Sequence, residues 1–103
     1  MNKETLTGQA TDAQIKEWKE KYNKVFFIKV QGCIGYLKKP SRKALSYASV
    51  AGQKDPLKFN EVLLNDCWLG GDETIKTDDT KFLSVSQKLA ELIEVAEAEL
   101  GEL

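Results

Sequence analysis

With 103 residues, the chain is long enough for one domain and one modest core. Its 42% hydrophobic and 30% charged residues describe an ordinary globular protein, and no apolar run approaches the roughly 20 residues that span a bilayer. The opening Met-Asn-Lys-Glu-Thr lacks the apolar stretch of a signal peptide, so no membrane contact and a cytoplasmic location are expected.

The formal net charge of −1 hides a division along the chain. Residues 1–60 hold 12 Lys and Arg against 5 Asp and Glu, a balance of +7, whereas residues 61–103 hold 3 against 11, a balance of −8. A basic half and an acidic half can satisfy each other within one fold, between copies, or with an oppositely charged partner. That pattern points to binding. The absence of histidine removes the commonest general base, the Ser-His and Cys-His nucleophile pairs, and the commonest transition-metal ligand. Neither GxxxxGK[ST] nor GxGxxG occurs. The expectation is a protein that is not an enzyme and uses no cofactor.

In chain order, residues 1–10 are polar and expected to be mobile, and a single domain is expected over 11–103. Thr11 and Gln14 form a capping-box pattern, after which Ile15, Trp18 and Tyr22 recur at helical spacing, predicting a helix over 12–22. The β-rich run from Lys24 to Gln31, then Gly32 and a second run from Cys33 to Lys38, predicts a hairpin. Phe26, Ile28 and Val30 would share one face, and Val25, Phe27, Lys29 and Gln31 the other. A lone hairpin is marginal in water, so helices must cover it or a further strand, such as one from a second copy, must extend it. Cys33 and Cys67 read as small buried residues.

Pro40 and Ser41 open a helix expected to run to about Ala51, before Gly52. Asp55-Pro56 is an N-cap followed by proline at the first helical position; the helix it starts carries Leu57, Val62, Leu63, Leu64 and Trp68 and is expected to stop at Gly70-Gly71. Asp72, Glu73, Asp78 and Asp79 lie close together in a pattern that fits no calcium loop; the latter two are expected to complement a helix dipole. The last helix is expected from about Asp78 to Leu100, with Phe82, Val85, Leu89, Leu92, Ala96 and Leu100 forming one stripe. Burying five of these large side chains at about 2 kcal/mol each is worth on the order of 10 kcal/mol gross, comparable to a domain's whole net stability of about 5–15 kcal/mol. The stripe must therefore pack on the chain's own helices or seal an interface. The fold class that results is α+β: an N-terminal helix, a β-hairpin, then three helices, the last long and amphipathic.

The order of Tyr36-Leu37-Lys38-Lys39-Pro40-Ser41-Arg42, a helix, Asp55-Pro56-Leu57, Asn65-Asp66-Cys67-Trp68-Leu69-Gly70-Gly71-Asp72 and a final Glu91-Leu92-Ile93-Glu94-Val95 resembles small phage and prophage proteins of the tail assembly chaperone type. The similarity extends over about residues 20–100. It implies a non-enzymatic role in the bacterial host cytoplasm, holding the helical tape measure protein in solution and helping tail tube subunits assemble around it. Such a client needs apolar strips and complementary charge. The candidate partner-binding residues are Trp68, Phe82, Leu89 and Leu92, with the basic cluster Lys38, Lys39 and Arg42; self-association into a homo-oligomer is compatible with the same residues. Two alternatives stand beside this reading. One is a structural tail or head-completion component that stays in the virion. The other is a single-stranded nucleic-acid-binding module using Tyr36, Phe27 and the basic cluster, against which the sequence pI of about 5.5 and the acidic second half weigh.

Overall fold

A computed structural model describes residues 6–92 and 98–103. Helix α1, Asp12–Tyr22, starts where the capping box placed it: Thr11 accepts from the Gln14 backbone N–H at 3.2 Å, and the Gln14 side chain accepts from the Thr11 N–H at 3.1 Å. Strands β1, Val25–Val30, and β2, Cys33–Lys38, form the expected hairpin, with Val30 opposite Cys33 and Val25 opposite Lys38. The two-residue turn needs positive φ at both positions, and Gln31 (47°) and Gly32 (76°) supply it.

Helix α2, Arg42–Lys54, is capped by Ser41, whose hydroxyl accepts from the Ala44 N–H at 3.0 Å. It runs through Gly52 instead of stopping there. A Cβ at Gly52 would lie 3.0 Å from Cβ of Phe59 in the next helix, so this glycine permits close helix approach and does not terminate. Helix α3, Pro56–Cys67, begins at the Asp55 cap, with Asp55 Oδ1 accepting from the Leu57 N–H at 3.1 Å.

Beyond α3 the architecture departs from expectation. Trp68 turns extended and opens a third strand, β3, Trp68–Gly71, which pairs antiparallel with β2 in the order β1-β2-β3. The Gly70-Gly71 pair is therefore no helix stop. Gly71 has φ 128°, and a Cβ there would lie 2.5 Å from the Ile34 carbonyl oxygen; one at Gly70 would lie 3.1 Å from Cη2 of Trp18. Gly71 thus allows close backbone approach within the sheet, and Gly70 makes room for the Trp18 ring of α1.

A short helix, α4, Thr74–Thr77, precedes Asp78. The terminal helix begins where expected, with Asp78 in extended geometry (φ −83°, ψ 123°) capping α5, Asp79–Ser86, through the Lys81 N–H at 3.0 Å. It ends early: a 3₁₀ turn, Leu89–Leu92, follows, 93–97 of the expected span lie outside the described residues, and 98–100 are not helical. Of the expected stripe, Ala96 lies outside the described residues and Leu100 is exposed. The molecule is thus α+β, five helices and a three-stranded antiparallel sheet among the described residues.

β2 is the central strand and is buried along nearly all its length. With side chains alternating between faces, Cys33 and Leu37 join Ile28, Leu63, Leu64, Cys67, Ile75, Val85, Leu89 and Leu92 in the main core. On the other face, Trp18 of α1 packs on Tyr36, with ring centroids 5.4 Å apart and planes at 41°. Of the segment expected to be mobile, 1–5 lie outside the described residues and the part from Thr7 to Ala10 is tied to this sheet: the Thr7 N–H donates to Gly32 O at 2.9 Å, Thr7 O accepts from the Ile34 N–H at 3.0 Å, and the Ala10 N–H donates to the Tyr36 hydroxyl at 3.1 Å.

Candidate functional site: a groove between the third, fourth and fifth helices

α3 on one side and α4 with α5 on the other leave a cleft of about 720 Å³ between them, within the size range of ordinary binding pockets. Leu57 and Leu64 of α3 and Phe82 and Leu83 of α5 supply its apolar lining. Leu64 is only 1% exposed and belongs to the core, whereas Leu57 and Leu83 are 46% and 47% exposed. The cleft therefore has a rigid floor and an open apolar rim.

Its charge is biased. Asp55, Glu61, Glu73 and Asp79 contribute four carboxylates, against Lys58 and Lys76. Both lysines are held by acids of the same helical segment, Lys58 by Glu61 at 3.3 Å and Lys76 by Glu73 at 2.8 Å. The hydrogen bond from Lys76 lowers the Glu73 pKa, keeping that carboxylate ionised. An apolar floor under an acidic rim suits an amphipathic helix with basic flanks.

The sequence-derived candidates fall in different places. Phe82 lines the groove. Trp68 stands behind its rim and holds it: the indole Nε1–H donates to Glu73 Oε2 at 2.8 Å, and Lys76 Nζ lies 4.9 Å from the ring centroid. The Trp68 ring itself rests on Gly35, where a Cβ would lie 2.6 Å from Cη2. Leu89 and Leu92, at 1% and 6% exposure, are core residues packed on the chain's own elements and present no free surface. Lys38 is half-buried, pairs with Asp66 at 3.6 Å and lies 5.9 Å from the Tyr22 ring centroid. Lys39 and Arg42 are exposed after β2 and at the start of α2. Apolar and basic candidates thus do not form one continuous site.

Leu57 and Leu83, which open the groove, were not singled out from the sequence. Leu83 had a usable signal, since it adjoins Phe82 but lies off the stripe of Phe82, Val85, Leu89 and Leu92. The acidic loop residues have local structural uses. Asp72 Oδ1 accepts from the Thr74 N–H at 2.9 Å and its hydroxyl at 2.8 Å, Asp78 caps α5, and Asp79 occupies that helix's first turn. Among the described residues no three His, Cys, Asp or Glu side chains converge as a metal site would require.

Both cysteines are buried free thiols. Burial first, then the neighbouring Asp66 carboxylate, pushes the Cys67 pKa up to about 11, so it is a protonated packing group at neutral pH. Tyr36, proposed as a stacking residue for nucleic acid, is 5% exposed, which leaves Phe27, at 63%, as the open aromatic of that pair. No helix among the described residues is long and apolar enough to cross a membrane.

The fold and groove define an α+β domain with an open cleft of mixed apolar and charged lining. Comparison with protein-family models, curated proteins and solved structures finds no match.

Proposed function

We propose that this chain is a non-enzymatic assembly protein that binds a helical protein partner, and that its most specific form is a phage tail assembly chaperone acting on the tape measure protein and tail tube subunits in the bacterial cytoplasm. The observation that carries this function is the groove: an open apolar rim at Leu57 and Leu83 under an acidic border. A long helical client offers apolar anchors at i, i+3, i+4 and i+7, and such anchors suit a cleft of this kind. The identity proposed for the client comes from the loose resemblance of the sequence patterns to tail assembly chaperones.

The test is co-purification of the tagged chain from its native host or a lysogen, with bound proteins identified by mass spectrometry. A long helical tape-measure-like protein or a tail tube subunit is expected with the wild-type chain and is lost with Leu83→Asp. A structural tail or head-completion component would instead be found in purified virions, whereas the chaperone is found only in the infected-cell lysate.

A further inference from the structure

Helix α2 carries no acid and three basic residues, Arg42, Lys43 and Lys54. Lys43, Tyr47, Val50 and Lys54 follow one another at steps of four, three and four residues, which sets them in a single stripe along the helix. The opposite side of α2 supplies the buried Ala44 and Ala48. In the stripe, Tyr47 and Val50 stand 61% and 66% exposed, two large apolar side chains with a lysine one turn beyond each. That is the pattern of an amphipathic helix that docks in a groove, and it is the chemical complement of the acidic, leucine-rimmed cleft.

We propose that the α2 stripe of one copy docks in the α3–α4–α5 groove of a second copy, giving head-to-tail self-association in which the same groove serves either the next copy or a client helix. The inference rests on the groove being a helix-docking site. Tyr47 and Val50 meet the apolar surface of Leu57, Phe82 and Leu83, while Lys43 and Lys54 face the acidic rim. Stripe and groove are different surfaces, so the contact is heterologous: every open assembly keeps one free stripe at one end and one free groove at the other, and assemblies grow with concentration. Client occupation of the groove removes the acceptor and shortens them.

Sedimentation of the purified full-length chain tests this. Weight-average mass is expected to rise with concentration and to fall as salt goes from about 0.05 to about 0.5 M, because screening weakens lysine–carboxylate attraction. Tyr47→Asp and Leu83→Asp each alter an exposed position, retain the wild-type circular dichroism and melting temperature, and weaken association at least about tenfold through loss of an anchor. The two variants mixed together restore one intact stripe and one intact groove, so the mixture forms a 1:1 complex and nothing larger. A wild-type chain that is monomeric at every concentration, or a mixture that fails to recover the 1:1 complex, overturns the proposal. Loss of client from Leu83→Asp alongside a strictly monomeric wild type would overturn self-association while leaving the client site standing.

Discussion

At Asp72 the neighbouring Cys33 thiol first, then hydrogen bonds from the Thr74 amide and hydroxyl, pull the carboxyl pKa from an ordinary 3.8 down to about 2. A depressed acid stabilises the fold above its unfolded pKa and loses that contribution as pH falls through the folded value. Urea midpoints of the wild type and Asp72→Asn should therefore differ at neutral pH and converge as pH drops from about 4 to about 2. A gap that persists at the acid end would show that Asp72 acts without its charge. Gly35 sets a second residue-scale constraint, because its missing Cβ is what admits the Trp68 ring. Gly35→Ala should cost about 1–3 kcal/mol as overpacking, read by denaturant unfolding. It should also loosen the Glu73–Lys76 rim that Trp68 supports.

At the scale of elements, the parts readable in the sequence are those with local causes. Thr11 with Gln14, Ser41, and Asp55-Pro56 announce three helix starts through their own cap chemistry, and the two-period run around Gly32 announces the hairpin. Trp68–Gly71 was not readable as a strand because a paired glycine after a helix ordinarily signals a C-cap. Its pairing depends on Ile34 and Gly35, more than thirty residues earlier in the chain. The terminal stripe was legible as apolar and illegible as a shape: the heptad-like spacing of Phe82, Val85, Leu89 and Leu92 persists although α5 ends at Ser86 and a 3₁₀ turn follows. Because Leu89 is a core residue, Leu89→Asp should lower stability by about 4 kcal/mol or more through burial of an unpaired charge, measured by urea unfolding. A variant that stays as stable as the wild type would contradict the core assignment. For the same reason, that substitution reports on folding and cannot isolate a partner contact, which Leu83→Asp can.

At the scale of the whole molecule, Lys38 with Asp66 joins the basic half to the acidic one, β2 to α3, while Lys58–Glu61, Lys76–Glu73 and Lys88–Glu91 are pairs three residues apart among the described residues. Exposed pairs of that kind add little stability. The charge division shows on the surface as a cationic α2 and an acid-bordered groove, the two features on which the proposed helix recognition rests. Of the residues singled out from the sequence, Phe82 lines that groove and Trp68 supports its rim. Leu57 and Leu83, which no sequence pattern marked as partner-binding, come together only when α3 and α5 are set side by side. The measurement that bears most directly on the central claim is recovery of bound protein from host cells with the wild-type chain and with Leu83→Asp in parallel. The account predicts a helical partner with the wild type and its loss, at unchanged stability, with the variant; equal recovery of the same partner by both chains would contradict the groove as the site of binding.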